Sequence, residues 1–182
     1  VLLGLQNQLG WKLKGVSINR PEDNSKALKF WACLNLGSNI LPAQNLPRTI
    51  TLLSKMVEIQ EVSSAWETPP VGTNGPVFIN AAVLIFTELS AEMLKQGILR
   101  PIERKSGRVR TMDRFAPRPI DLDIVIFNGE LLDLELWEQA YLAVPTAELL
   151  PDYVNPNTGE TLSQIAERLN LTIKLRRLEG FL

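Results

Sequence analysis

Residues 107–127 read GRVRTMDRFAPRPIDLDIVIF, a basic, proline-containing loop that runs directly into an apolar strand bearing two carboxylates. The loop supplies Arg108, Arg110, Arg114 and Arg118, and the strand supplies Asp121 and Asp123. Side chains two apart on a strand share a face, so the two aspartates stand side by side while Leu122 and Ile124 point the other way. Two such charges about 6 Å apart repel by about 3 kcal/mol at an effective dielectric near ~20. A divalent cation reverses the sign of that interaction. Mg²⁺ is commonly held by one or two carboxylates together with substrate phosphates, and arginine forks match phosphate oxygens. The stretch therefore fits a site for Mg²⁺ and a polyphosphate. It also fits a solvated loop followed by an edge strand with a polar outer face, and residue types alone leave both readings open.

Absences narrow the chemistry further. The 182-residue chain has no histidine and a single cysteine, Cys33. Ser-His-Asp and Cys-His nucleophilic arrangements, His-ligated zinc, Cys₄ zinc and internal disulfides are thereby excluded. Chemistry must rest on carboxylates, arginines, lysines and hydroxyls. Cys33 lies in the apolar run FWACLNL and reads as a buried, inert thiol. A hydrophobic content of 45% and a charged content of 21% match a folded domain rather than a disordered or membrane-spanning chain. The longest apolar run, AAVLIF at 81–86, is too short to cross a bilayer, and no signal-peptide pattern opens the chain. The expectation is a soluble, cytoplasmic protein. With a net charge of −1, no global attraction to nucleic acid is expected, although 100–118 holds seven basic against two acidic residues.

Positioning these groups requires a scaffold, and hydrophobic periodicity outlines one. Residues 30–36 read as a buried strand closed by Gly37-Ser38-Asn39. Asn45 is a plausible N-cap for a helix over 46–57, with Pro47 in its first turn. A second strand is expected at 62–66, then a loop rich in proline and glycine. A third strand over 77–87 places Phe78 and Asn80 on one face. Ser90 can cap a helix over 91–104, which brings Arg100 and Glu103 near the arginine loop. The fourth strand is 120–127, and Asn128-Gly129 signals a tight turn. Residues 131–137 form a short apolar segment of uncertain type. Pro145 is expected to start a helical turn reaching Leu150, and Thr161 to open a helix over 162–169 through a capping box with Gln164. An edge strand is expected over 171–176.

The order β-α-β-β-α-β across 30–127 is that of an α+β, ferredoxin-like split βαβ fold. A mainly antiparallel sheet carries two helices on one face, with an extra C-terminal helix, and the other face is free for a site. Residues 30–182 form the main domain. Residues 1–29, with the turn-rich string NRPEDNSK at 19–26, read as an N-terminal extension or the end of a preceding domain.

Five motifs in this order resemble the 6-hydroxymethyl-7,8-dihydropterin pyrophosphokinase family of folate biosynthesis: LNLGSN (34–39), ETPPVG (67–72), FINAAV (78–83), IERKSGRVR (102–110) and APRPIDLDI (116–124). The resemblance implies transfer of the β,γ-diphosphate of ATP to the hydroxymethyl group of the pterin, with release of AMP and a requirement for Mg²⁺. It implies metal binding by Asp121 and Asp123, and phosphate binding by Arg108 and Arg118 on a loop that moves. It assigns Arg100, Glu103 and Arg110 to the nucleotide. It places the pterin between Phe78 and Tyr141, hydrogen-bonded by Asn80 and the loop Thr68, Pro69 and Val71. Each residue also has a plainer reading, as a core aromatic, a satisfied strand-end amide, a stiff connector or a surface ion pair. The chain departs from the family pattern after the fourth strand, where the connection is short, lacks histidine, and has Gln139 where an arginine is usual. Phe115 and Ala116 replace a usual Trp-Gly, Arg100 a usual Gln, and Pro119 a usual Thr. An alternative reading is therefore a family member that binds pterin or nucleotide without catalysis. The partners expected are small molecules, neither nucleic acid nor membrane, and the chain is compatible with a folate-pathway fusion.

Overall fold

The computed structural model describes residues 12–13, 16–17, 29–69, 76–109 and 116–182. Its elements are β1 (Phe30–Ser38), α1 (Pro42–Leu53), β2 (Glu58–Val62), β3 (Ala65–Thr68) and β4 (Phe78–Thr87). Helix α2 follows, assembled from Ala91–Leu94, a π-helical turn Lys95–Leu99, and Arg100–Lys105. Then come β5 (Asp121–Phe127), β6 (Glu130–Leu131), a 3₁₀ turn Leu134–Trp137, α3 (Ala140–Leu149), α4 (Leu162–Ile173) and β7 (Arg176–Leu178). The strands form one sheet in the order β6-β5-β1-β4-β3-β7, with β2 also pairing to β4, and every pairing is antiparallel. Outside it, Lys12–Leu13 pairs with Val16–Ser17. The expected β-α-β-β-α-β order is present, with its second strand split into β2 and β3. No helix among the described residues is long and apolar enough to cross a membrane.

Strand alternation distributes the core over both faces of the sheet. Ala32, Leu34 and Leu36 of β1, Val83 and Ile85 of β4, and Leu122 and Ile124 of β5 pack against Leu46 and Leu53 of α1 and Leu94, Leu99 and Ile102 of α2. Trp31, Cys33, Ala82, Leu84 and Val125 face the other way, against Leu142, Ala143 and Leu149 of α3 and Ile165 of α4. Between Cys33 and Leu34 the β1–β5 register shifts, and Val125 and Ile126 both join this second cluster. The second face is thus covered at one end by α3 and α4 and left open at the other. Cys33 is fully buried, and burial pushes its thiol up to about 12, which keeps it uncharged and unreactive.

Several boundaries differ from the sequence expectation, each for an identifiable reason. Helix α1 starts at Pro42 behind Leu41, which takes a left-handed conformation, and Asn45 is not its cap. The amide of Asn45 donates instead to the Ile40 carbonyl at 2.7 Å, inside the first turn. The strand expected at 62–66 is interrupted at Ser63–Ser64. There the Ser63 hydroxyl accepts the Ala82 N–H at 2.8 Å, and Glu148 accepts both Ser64 N–H at 2.7 Å and the Trp66 indole at 2.8 Å. Helix α3 begins at Ala140 rather than at Pro145, which it contains. Burial of Leu142, Ala143, Val144 and Leu149 outweighs the hydrogen bond lost at the proline. The capping box of Thr161 and Gln164 is present, but α4 runs on to Ile173 and ends where Lys174 turns left-handed. The edge strand therefore lies at Arg176–Leu178, since six alternating residues do not separate a strand from a frayed helix end.

Candidate active site

At its open end, the second face of the sheet presents a cavity of about 470 Å³. Strand β1 contributes Asn35 and Gly37 to its wall, β4 Phe78 and Asn80, and β5 Asp121 and Asp123. These are alternate residues of three adjacent strands, so the pleat alone aims them into one space. The end of β3 adds Thr68 and Pro69, and the segment before and within α3 adds Asp133, Glu135, Gln139, Tyr141 and Leu142. The expectations that Phe78 shares a face with Asn80, and Asp121 with Asp123, are met, and the sheet brings the two pairs to one cavity.

The GSN turn after β1 fixes the loop that carries Arg118. Asn39 Oδ1 accepts the Arg118 N–H at 2.7 Å, and the Arg118 carbonyl accepts the N–H groups of Asn39 at 3.2 Å and Ile40 at 3.3 Å. The Ser38 hydroxyl donates to the Pro119 carbonyl at 2.6 Å. Gly37 is required for a different reason. A Cβ there would stand 2.8 Å from Asn80 Oδ1, and Asn80 is buried and donates through Nδ2 to Thr68 Oγ1 at 2.8 Å. The sequence motif thus does two structural jobs that its residue types do not announce.

Charge in the cavity is organised around Asp121. One carboxylate oxygen pairs with Arg108 and the other with Arg118. Arg108 also pairs with Glu103, whose buried carboxylate accepts the Leu122 N–H at 3.0 Å. Arg118 donates through Nε to the Ala116 carbonyl at 3.2 Å, and its guanidinium lies 5.8 Å from the centre of the Phe78 ring, within cation–π range. Burial, and then the neighbouring Arg108, lower the proton affinity of Arg118, while Asp123 and Glu103 oppose them. It stays cationic, as arginine does at any ordinary pH. The repulsion expected between the aspartates is therefore offset at Asp121. Asp123 is more open, its side chain 46% exposed against 19% for Asp121, and Lys95 Nζ stands 4.0 Å from its Oδ1.

Across the cavity, Tyr141 donates to Glu135 Oε2 at 3.0 Å, and Asp133 Oδ1 accepts the Glu135 N–H at 3.0 Å. Burial and then Glu135 raise the Tyr141 phenol above its ordinary range, so it remains a donor. Arg100 is not among the lining residues and pairs with Gln96 one turn back. Val71 and Arg110 lie outside the described residues, as does most of 1–29. Among the described residues no three carboxylate or thiol side chains converge as a closed metal cage. Two carboxylates on one strand face fit a hard cation that takes the rest of its coordination from a ligand. Asn35, Lys95, Asp133 and Glu135 were not foreseen. Only Asn35 left a sequence signal, a lone amide inside an apolar strand run.

Comparison with known proteins bears on the family. The family profile described as 7,8-dihydro-6-hydroxymethylpterin-pyrophosphokinase (HPPK) matches residues 33–151. A Synechocystis 2-amino-4-hydroxy-6-hydroxymethyldihydropteridine pyrophosphokinase is 32% identical over 152 residues, covering 78% of this chain and 77% of the relative. The enzyme of that name from Methylorubrum extorquens is 37% identical over 151 residues, covering 76% and 93%. The Dictyostelium discoideum folic acid synthesis protein FOL1 is 30% identical over 168 residues, which is 87% of this chain and 25% of that longer one. Among solved structures, wild-type Plasmodium falciparum HPPK-DHPS with pteroate superposes with a TM-score of 0.64 at 12% identity, over 85% of this chain and 47% of that one. That likeness is one of fold.

Proposed function

Since the chain belongs to the 7,8-dihydro-6-hydroxymethylpterin-pyrophosphokinase family, we propose that it transfers the β,γ-diphosphate of ATP to 6-hydroxymethyl-7,8-dihydropterin. The observation that carries this reading is one cavity lined both by Phe78, Asn80, Thr68 and Tyr141 and by Asp121, Asp123 and Arg118. A flat, hydrogen-bonding heterocycle suits the first group and a polyphosphate the second.

In the reaction, the hydroxymethyl oxygen forms a bond to the β-phosphorus and the α,β-bridging bond breaks. AMP departs, and the hydroxyl proton is released. Such transfers are driven by positioning and by stabilising charge, which arginine and carboxylate-bound metal supply without histidine. Mg²⁺ held by Asp121 and Asp123 would neutralise the transferring phosphate oxygens. Phe78 and Tyr141 flank the ring, while Asn80, braced by Thr68, reads its polar edge. Arg118, fixed through its backbone by Asn39, turns its fork from Asp121 toward the phosphates. Arg108, which holds the other oxygen of Asp121 and is anchored by Glu103, does the same. The family resemblance assigns Arg100 and Arg110 to the nucleotide.

The test is incubation with ATP, Mg²⁺ and the reduced pterin. AMP and pterin diphosphate are expected in equal amounts, and Asp123→Ala should remove both. No AMP above a control with chelated metal would overturn the reading.

A further inference from the structure

The order of strands across the cavity assigns a place to the reacting oxygen. Groups suited to the ring, Phe78, Asn80 and Thr68, stand on β4 and β3, and groups suited to phosphate, Asp121 and Asp123, stand on β5. Strand β1 lies between β5 and β4. On the pterin reading, a ring held at Phe78 and Asn80 and phosphates held at Asp121 and Asp123 put the oxygen that joins them over β1, with Arg118 reaching from the phosphates to within 5.8 Å of the Phe78 ring centre. That strand presents two residues there, Gly37, which has no side chain, and Asn35.

Asn35 faces Asp123 in the β1–β5 register and Ala82 in the β1–β4 register. It is 6% exposed, and its Oδ1 is closed off with no hydrogen-bond donor among the described residues. Three other buried polar atoms share that condition, Thr49 Oγ1, Arg100 Nε and Thr146 Oγ1, but none of those residues lines the cavity. Native interiors rarely retain an unpaired amide oxygen unless a ligand or function uses it. A purely structural role is a poor fit, because an apolar residue in this run would pack without that penalty.

We propose that the carboxamide of Asn35 hydrogen-bonds the hydroxymethyl group of the pterin and holds that oxygen beside Asp123, making Asn35 a determinant of specificity for a hydroxylated acceptor. The proposal rests on the pterin reading above. It adds a residue that recognises the substituent rather than the ring.

Calorimetric titration without nucleotide tests it, using 6-hydroxymethyl-7,8-dihydropterin and its 6-methyl counterpart against the wild type, Asn35→Ala and Asn35→Ser. The wild type is expected to prefer the hydroxymethyl ligand by about fivefold to tenfold, the worth of one neutral hydrogen bond. In Asn35→Ala the preference should fall to within about twofold of unity, because deleting either partner of one contact removes the same coupling. Asn35→Ser should lie between them. Thermal unfolding of Asn35→Ala should occur at or above the wild-type temperature, which a structural role would not allow. An equal preference in wild type and variants, or none in the wild type, overturns the proposal. If the wild type discriminates between the ligands as expected but forms no AMP with ATP, the catalytic reading fails and the Asn35 contact stands.

Discussion

Glu103 Oε1 accepts the backbone N–H of Leu122 at 3.0 Å, tying the last turn of α2 to the residue that separates the two cavity aspartates. The same carboxylate pairs with Arg108, which also holds Asp121. Glu103 is 2% exposed, so its removal would leave a largely buried guanidinium with one partner fewer and a strand N–H with none. Glu103→Ala is expected to destabilise the fold by about 2–4 kcal/mol, as loss of one member of a buried pair does. Glu103→Gln keeps an oxygen for Leu122 and should cost less. The midpoint of urea unfolding measures both. A change in Glu103→Ala below about 0.5 kcal/mol, the range of an ordinary surface substitution, would contradict this role.

Gly37→Ala would set a methyl group 2.8 Å from Asn80 Oδ1. Asn80 has little room to yield, being buried and bonded to Thr68 at 2.8 Å. Overpacking of about 1–3 kcal/mol falls on the ring side of the cavity, so pterin affinity should drop about tenfold or more while ATP affinity is retained. Fluorescence titration with each ligand separates the two effects. Equal losses for both would point to a general disturbance of the fold.

How much of this site was legible beforehand depends on what each residue does with its neighbours. Asp121, Asp123, Phe78 and Asn80 were readable because a strand period of two fixes their common face whatever the tertiary structure. The order of elements along the chain was readable from the alternation of strand and helix signals. Roles set by contacts between distant segments were not. Asn39 and Ser38 lie about 80 positions from the backbone they secure, at Arg118 and Pro119. Glu103 looked like a nucleotide ligand or a surface partner of an arginine, and only packing shows it buried under β5. Residues 131–137 gave no clear period, being split between a two-residue strand and a 3₁₀ turn, so Asp133 and Glu135 went unnoticed. Pro145 pointed to the wrong end of α3, because burial along that helix outweighs the local preference of proline for a first turn.

Asp133 gives the site a pH signature. Burial, and then repulsion by Glu135 and Asp123, raise its pKa in the folded protein, against a hydrogen bond from the Glu135 N–H and attraction by Lys95. A carboxyl raised by folding favours the native state only while protonated. Its contribution is fully present below the unfolded value of about 3.9 and is lost as pH rises through the folded value. Asp133→Asn keeps the acceptor for Glu135 and removes the charge. The variant should therefore melt above the wild type at pH 7, and the gap should close as pH falls toward about 4. A gap that widens on acidification would reverse the sign assigned to this residue.

The fate of the two transferred phosphates tests the proposed activity most directly. ATP labelled at both the β and γ positions, incubated with Mg²⁺ and the reduced hydroxymethylpterin, should yield one unlabelled AMP for each pterin, which then carries both labels. Formation of ADP with a singly labelled pterin, or of no AMP while the pterin still binds, would contradict it.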